Sequence, residues 1–420
     1  MRKMKKFLSV VVASAMVLAM AGCGNNNASQ GSSAAGGNES QTQESSAGTD
    51  ASNTGAGTSA SADGVFKIGG MGPLTGGAAI YGLNVRNAAQ IAVDEINAAG
   101  GVTVNGKSYQ LELRFEDDEH DAEKVISAYN TVKDWGAQMV LGAVTSGPSI
   151  AVSEETYRDN MFQLTPSGSA VKCTQYDNGF RVCFSDPDQG AASAQYIGEQ
   201  KLAQKIAIIY DSSTDYSKGI YESFVKGAKD QSFEIVAQEA FTADSNTDFS
   251  VQLQKAQSAG ADLVFLPIYY QESALILKQA DQMGYAPKFF SCDGMDGILT
   301  VENFDTKLAE GVMLLTPFAA DAKDDLTQKF VKTYQEKYGE IPNQFAADAY
   351  DGVYALKAAI EKSGVTPDMS TSEICEGLKT GITSITLDGL TGAGMTWNAS
   401  GEPNKAPKAV KIQDGAYVAM

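Results

Sequence analysis

The sequence predicts an α/β fold made of two doubly wound parallel-sheet lobes. From residue 65 onward, short apolar runs of strand length alternate with amphipathic segments of helix length, which is typical of parallel sheets covered by helices. The same cycle restarts at residue 205 with the buried run KIAIIY. Residues 65–420 also exceed the length that one hydrophobic core usually serves, so two lobes are expected.

The first residues predict an export signal. A basic segment, 2–6, precedes the apolar run 7–20, which is too short for a permanent membrane span, and two small residues lead directly to Cys23. This order resembles the bacterial lipoprotein signal, in which the cysteine is acylated and the chain is cut before it. We therefore expect residues 1–22 to be a signal peptide and Cys23 to anchor the protein to the outer face of the cell membrane. An ordinary cleaved secretory signal is the alternative.

A low-complexity segment follows the cysteine. Residues 24–64 are almost all Gly, Ser, Ala, Asn, Gln and Thr, without an aromatic residue, Leu, Ile or Val. Such a segment cannot bury enough surface to offset the entropy of ordering it. We expect residues 23–64 to form a flexible linker between the lipid and the folded part.

Two strand–helix cycles then follow in order. The strands predicted in the first cycle are 65–71, 110–116, 139–141 and 161–164, and the helices are 82–99, 122–133 and one between the last two strands. The strands predicted in the second cycle are 205–210, 233–240, 263–268, 288–291 and 311–316, and the helices are 218–230, 249–259, 271–283, 323–337 and 344–363. Ligands of such sheets bind at the carboxyl ends of the strands, so a cleft between the lobes is the expected site.

Composition excludes several classes of function. The formal charge of −19 disfavours nucleic acid and an electrostatic membrane-binding face, and it favours a soluble monomer. His120 is the single histidine, so a zinc site built on several histidines is excluded and a Ser-His-Asp triad would have to use this residue. Its acidic surroundings, 116–121, favour a solvated loop with Asp121 as a helix N-cap. We expect neither a metal nor a cofactor.

The cysteines and short motifs carry weak signals. No CxxC occurs, and Cys173 and Cys183 are a candidate disulfide that sequence spacing alone cannot establish. The glycines of 70–77 follow the first strand but lack the spacing of a dinucleotide-binding motif.

Three short motifs imitate those of a penicillin-recognising serine enzyme, but they occur in the wrong order along the chain. They are S-x-x-K at 223–226, Y-x-N at 176–178 and K-T-G at 379–381. That enzyme stays an alternative hypothesis, which labelling with a fluorescent penicillin would test.

Several longer segments resemble the branched-chain amino-acid-binding proteins of ABC importers. They are IGGMGPLTGGAAIYG at 68–82, NVRNAAQIAVDEINAAGG at 84–101, LGAVTSGP at 141–148, LTPSGS at 164–169, FRVCFSDPDQG at 180–190 and DGMD at 293–296. The resemblance covers nearly all of residues 65–420. It implies the type I periplasmic-binding-protein fold, in which a hinge of several strands joins two lobes that close over a ligand. By this resemblance we assign 65–186 plus 319–390 to lobe 1, and 187–318 plus 391–420 to lobe 2.

The resemblance also implies a ligand-binding site and no covalent chemistry. The residues that match the family's pocket are Tyr81, Ser146, Ser167, Ser169, Tyr216, Tyr269 and Asp293. The hydroxyls of Ser146 and Ser169 and the backbone at Ser167 would hold the ligand's carboxylate, and Asp293, where the family often has Glu, would hold its ammonium. The tyrosines would form the walls. The implied partners are an aliphatic amino acid and a membrane permease.

Other ligands are open at this point. The same scaffold resembles binders of amides, urea and aromatic acids, and Asp293 discriminates against them because a ligand without an amine leaves a buried carboxylate without a partner. A sensor that reports ligand to a membrane receptor is a further alternative that sequence does not separate from transport.

Overall fold

The computed structural model describes residues 63–420, and the predicted signal peptide, Cys23 and almost all of the linker lie outside the described residues. The strands are β1 Val65–Gly72, β2 Val102–Val104, β3 Lys107–Asp117, β4 Met139–Leu141, β5 Phe162–Thr165, β6 Gly179–Arg181, β7 Lys205–Asp211, β8 Glu234–Phe241, β9 Leu263–Leu266, β10 Lys288–Ser291, β11 Met313–Thr316, β12 Lys408–Gln413 and β13 Ala416–Ala419. The helices are α1 Ala79–Ala98, α2 Lys124–Asp134, α3 Ser146–Arg158, α4 Asp186–Glu199, α5 Asp215–Ala228, α6 Ser250–Ser258, α7 Tyr270–Gln282, α8 Asp325–Tyr338, α9 Gln344–Ser363 and α10 Thr371–Ile382. Within this part of the chain no helix is both long and apolar enough to span a bilayer.

The first sheet has six strands in the order β2-β3-β1-β4-β5-β6. β1 lies between β3 and β4 and pairs with both in parallel. The short edge strand β2 is antiparallel to β3, and the two are joined by Asn105-Gly106, both with positive φ. This is the hairpin turn that Asn-Gly favours, so the sheet is parallel except at this edge.

The second sheet has seven strands in the order β13-β12-β11-β10-β9-β7-β8. β7 to β11 are mutually parallel, whereas β12 and β13 add an antiparallel hairpin at one edge. Asp414 and Gly415 form its turn with φ of 53° and 74°. The predicted fold class is therefore confirmed in its parallel centre, and the two hairpins are additions that the sequence analysis missed.

Each sheet and the helices packed on it form one layer of the protein. The chain crosses between these two layers three times. It leaves the first sheet after β6 for α4, which packs on α5, and it returns after β11 to α8 and α9, which pack on α1. The third crossing follows α10 and ends in β12. These crossings lie where several strands would form a hinge, and we propose the lobe boundaries 186/187, 318/319 and 390/391 on that basis.

Local sequence explains where α1 and α9 begin. α1 starts at Ala79, three residues before the predicted start, and places Gly82 against the loop after β1, where a Cβ would lie 1.9 Å from the Pro73 carbonyl oxygen. α9 starts at the predicted residue because the Asn343 side chain accepts a hydrogen bond from the Ala346 N–H at 3.2 Å. Gly364, at φ 75°, ends it.

Candidate ligand-binding site

Six of the seven predicted pocket residues line one cavity where the two layers meet. They are Tyr81, Ser146, Ser167, Tyr216, Tyr269 and Asp293. Ser169 is also fully buried, but it lies behind this cavity rather than in its wall. The arrangement follows from topology, because each of these residues comes after the carboxyl end of a parallel strand.

Asp293 is the acidic group of the cavity and is only 3% exposed. Its Oδ1 accepts a hydrogen bond from the Tyr216 hydroxyl at 2.6 Å, and its N–H donates to Gln189 Oε1 at 3.2 Å. Burial raises the pKa of this carboxyl to about 7 because few donors compensate for the lost water. An ammonium group placed beside it would favour the ionised form.

Tyr81 connects the two layers across the cavity. It is fully buried on α1 of the first layer, and its hydroxyl donates to the Gly294 carbonyl and accepts from the Tyr270 N–H at 3.3 Å on the second. Its ring lies 4.2 Å from the ring of Phe345, measured between centroids. Tyr81 is thus a wall of the cavity and also a contact between the lobes.

The serine hydroxyls differ in their availability. Ser146, the first residue of α3, accepts from the Ala170 N–H at 3.1 Å through Oγ, which leaves its O–H free to donate. The Ser167 hydroxyl donates to the Val144 carbonyl at 2.7 Å, which leaves its backbone as the group that can serve a ligand. Ser146 is therefore the hydroxyl best placed to bind a carboxylate at the start of a helix.

A second buried carboxyl, Asp186, lies close to this site and was not predicted. Neither of its oxygens has a partner with full hydrogen-bond geometry, and the same holds for Gln189 Nε2 and for Ser169 Oγ, which lies close to Asp186. Burial, with Asp293 adding to it, raises the pKa of Asp186 well above its usual range, and the neighbouring Ser169 hydroxyl holds that rise back. The D-x-x-Q-G motif at 186–190 was the signal for this pair of side chains, and the sequence analysis used it only to recognise a family.

The apolar part of the wall comes from Val144 and Phe345, which the sequence analysis also missed. Phe345 is the second residue of α9, and its ring packs against Tyr81. Tyr216 and Tyr269 stack with centroids 4.8 Å apart on the opposite side. Together these side chains surround Asp293 with apolar groups, aromatic rings and hydroxyls.

The cavity itself is small. The lining side chains leave about 10 Å³, which is about the space of a single water molecule. An adjoining cavity of about 240 Å³ shares Tyr216 and Tyr269 and is lined further by His120, Asp211 and Glu272. A molecule larger than water would fit this cavity only if the lining side chains moved apart.

His120 corrects one interpretation of the sequence. Its ring is half-buried against Tyr269 with centroids 5.5 Å apart, and its Nδ1 lies 2.7 Å from the Thr145 hydroxyl. Burial lowers its pKa. The histidine therefore packs beside the site rather than lying in a solvated loop, while Asp121 accepts the N–H groups of Glu123 and Lys124 at the start of α2 as expected.

The candidate disulfide is corrected as well, because Cys173 and Cys183 are both free thiols. Cys173 Sγ donates to the Ser146 carbonyl at 3.7 Å, and burial raises the pKa of this thiol to about 12. The guanidinium of Arg181, fully buried near both cysteines, donates to the carbonyls of Gly168 and Ala170 instead. The loop that a disulfide would have braced is held by these bonds.

The residues that imitate a serine enzyme belong to different layers. Ser223 lies on α5 over the second sheet, and its hydroxyl donates to the Pro187 carbonyl at 2.6 Å. Lys379 lies on α10 over the first sheet, where it pairs with Asp177 at 2.7 Å. Neither side chain lines the cavity at Asp293, so they form no common site with it.

Comparison with known proteins agrees with this geometry. Residues 65–416 match the periplasmic binding protein family. The Leu/Ile/Val-binding protein homolog 3 of Brucella melitensis biotype 1 is 30% identical over 305 residues, which are 72% of this chain and 80% of that protein. The chain belongs to the branched-chain amino-acid-binding family of periplasmic binding proteins. A member from Pseudomonas aeruginosa, the leucine-, isoleucine-, valine-, threonine- and alanine-binding protein, is 29% identical over 71% of this chain and 79% of its own length.

Solved structures of periplasmic binding proteins share the fold. The branched-chain amino acid transporter substrate-binding protein LivJ of Streptococcus pneumoniae, in complex with isoleucine, superposes with a TM-score of 0.76 at 30% identity and covers 84% of this chain and 98% of that one. A solute-binding protein from R. palustris in complex with benzoate has a TM-score of 0.74 at 18% identity and covers 85% of this chain and 95% of its own. The predicted family and the two-lobe fold are confirmed.

Proposed function

We propose that this periplasmic binding protein is the lipid-anchored, extracytoplasmic receptor of an ABC importer and that it binds an aliphatic amino acid between its two lobes. The observation that carries the proposal is the meeting of a buried acid, Asp293, and a free hydroxyl, Ser146, at one cavity between the layers. The similarity to Leu/Ile/Val-binding proteins and to LivJ with isoleucine supports the same class of ligand.

Each part of an amino acid has a partner in this cavity. The ammonium group would pair with Asp293, and the carboxylate would accept from Ser146 at the N-terminus of α3 and, after rearrangement, from Ser169. A branched side chain would pack between Val144, Phe345 and Tyr81. Burying such a side chain contributes about 1.5–3 kcal/mol, and charge-assisted hydrogen bonds at both ends can supply the rest of the roughly 8 kcal/mol that micromolar binding needs.

Ligands without an amine suit the cavity less well. The benzoate complex shows what that R. palustris protein binds, and an aromatic acid, urea or an amide brings no cation to Asp293. A benzoate would add a third carboxylate beside Asp186 and Asp293, both buried. Each of these carboxyls would repel the bound carboxylate whenever it ionises, because water is excluded from the site.

Isothermal titration of the purified protein tests the proposal. We expect leucine, isoleucine and valine to bind, and benzoate, urea and acetamide to give no heat of binding. Asp293→Asn should weaken leucine binding by roughly 10–100-fold, because it removes a charge-assisted hydrogen bond. The matched control is Asp281→Asn, which changes an exposed acid on α7 and should leave binding unchanged. Benzoate binding without any branched-chain amino acid binding would contradict the assignment.

The anchor is tested separately, because Cys23 lies outside the described residues. Cells supplied with radioactive palmitate should label the protein, and Cys23→Ala should remove the label and release the protein from the membrane fraction. Label retained in the variant would place the lipid elsewhere. Uptake of leucine into cells lacking the protein then separates an importer from a sensor, because only an importer subunit should reduce it when removed.

A further inference from the structure

A third cavity, of about 450 Å³, lies between the layers away from Asp293. One side is formed by Asn84 of α1, Val331 of α8 and the loop 339–343 that precedes α9. The other side is formed by residues 296–300, after β10, and by the C-terminal hairpin at 415–417. The second crossing of the chain contributes Ala320 and Asp321.

The lining is apolar and carries negative charge only. Leu299, Val331, Ile341 and Pro342 are among the apolar residues, whereas Asp296, Asp321 and Glu340 bring carboxylates and no Lys, Arg or His lines the cavity. An anionic ligand would meet repulsion from each of these acids. A cation with an apolar body would complement both properties.

Asp296 is the buried acceptor of this cavity and is 5% exposed. Its Oδ2 accepts from the Gln344 N–H at 2.8 Å, while no donor reaches Oδ1 with hydrogen-bond geometry. The Tyr417 hydroxyl, which accepts from the Gly297 N–H at 3.1 Å, lies near this carboxyl and holds back the rise in its pKa. Burial raises the pKa of Asp296 to about 6, so most of the carboxylate is still charged at neutral pH.

Two further buried oxygen atoms also lack a hydrogen-bond donor. Asp321 Oδ1 and Gln344 Oε1 are buried without a donor. Of these residues, Asp296 and Asp321 line the cavity, and a buried polar atom without a partner is costly. A group with several N–H donors would satisfy such atoms, and a primary ammonium has three.

A metal ion fits this site less well than an organic cation. Among residues 63–420 no group of three His, Cys, Asp or Glu side chains is arranged to hold a metal. The apolar part of the lining also suits an organic body better than a bare ion. We propose that this cavity binds a small organic cation, a primary ammonium on a short apolar body, with Asp296 as its counter-ion.

Binding here would be coupled to lobe movement. The walls belong to both layers and to the second crossing, so a bound cation contacts groups whose separation changes when the lobes close. A ligand that prefers one arrangement shifts the equilibrium toward it, and the effect on the other site is reciprocal. This coupling depends on the proposed closure around Asp293, whereas occupation of the cavity by a cation does not.

The test uses the full chain and two probes of equal shape, cyclohexylamine, which is protonated at neutral pH, and the neutral cyclohexanol. Ligand-observed NMR titration should show binding of the amine and at least tenfold weaker binding of the alcohol. Asp296→Asn, which keeps an acceptor for the Gln344 N–H, should reduce amine binding at least tenfold. Glu340→Gln, at an exposed lining position, should reduce it severalfold without risk to the core.

Controls separate this site from the amino-acid site. Glu302→Gln changes an exposed acid near the cavity that does not line it and should leave amine binding unchanged. Asp293→Asn should also keep amine binding, and Asp296→Asn should keep leucine binding. Equal binding of amine and alcohol, or amine binding that Asp296→Asn and Glu340→Gln both leave intact, would overturn the proposal. Amine binding lost in Asp293→Asn alone would show that the probe occupies the amino-acid site.

Discussion

At the scale of single residues, the cavity between the layers depends on a buried acid without a cation. Asp293 has the Tyr216 hydroxyl and a pKa raised to about 7, and Asp186 nearby has no hydrogen-bond partner. Such an arrangement costs free energy in the ligand-free protein. An ammonium group would remove that cost, which is the physical reason to expect a zwitterion rather than a neutral or anionic ligand.

Proton release should accompany binding. Asp293 is about half protonated near pH 7, and an ammonium beside it would lower its pKa, so leucine binding at pH 7 should release roughly half a proton. Affinity should fall as the pH drops below 7, because the carboxyl must then be deprotonated first. Titration calorimetry in two buffers of different ionisation enthalpy measures the release, which should approach zero above pH 8. Proton uptake at pH 7 would contradict this role of Asp293.

At the scale of elements, α1 is placed by one close approach of backbone to backbone. The hydrogen at Gly82 Cα faces the Pro73 carbonyl, and the neighbouring Tyr81 thereby reaches Gly294 across the cavity. A larger residue at position 82 would push the helix away from the loop after β1. Gly82 thus allows α1 to lie close enough to the loop after β1 for Tyr81 to reach the cavity.

Gly82→Ala should therefore destabilise the protein by about 1–3 kcal/mol, because the new Cβ would overlap the Pro73 oxygen. Thermal and urea unfolding measure the change. The matched control is Gly147→Ala on α3, where a Cβ meets nothing within 4 Å and stability should be unchanged or slightly higher. Equal stability of the two variants would show that α1 does not need this approach.

The sequence predicted every parallel strand except β6, and most helices, because their apolar periodicity is strong, and α9 even begins at the predicted residue. It missed both hairpins, although Asn105-Gly106 and Asp414-Gly415 are the dipeptides that such turns favour. Of the site, the residues after strand ends could be predicted. Phe345 could not be predicted, because it reaches the cavity from a helix far along the chain. The burial of His120 against Tyr269 likewise depends on contacts between distant segments, which local sequence does not reveal.

At the scale of the whole molecule, two layers joined by three crossings surround a site with room for about one water molecule. This small volume is what the closed arrangement of the proposed function would have, and under that proposal the lobes separate to admit an amino acid. Tyr81 and its partners on Gly294 and Tyr270 are contacts that separation would break. With three crossings between the layers, we expect such motion to be a rotation about a hinge.

Small-angle X-ray scattering should detect this motion. We expect the radius of gyration to be larger without leucine than at saturating leucine, because ligand contacts favour the closed lobes. Benzoate at the same concentration serves as the control and should leave the ligand-free curve unchanged. Identical curves with and without leucine, in protein shown by calorimetry to bind it, would mean that access does not require separation of the lobes.

The stacked rings of Tyr216 and Tyr269, with Tyr81 beside them, have a practical consequence. The two tryptophans of the chain, Trp135 and Trp397, do not line this cavity. Near-ultraviolet circular dichroism of tyrosine therefore offers an optical signal of occupancy that needs no dye, tag or substitution. The same chromophores would allow stopped-flow measurement of the rates at which a ligand associates and dissociates.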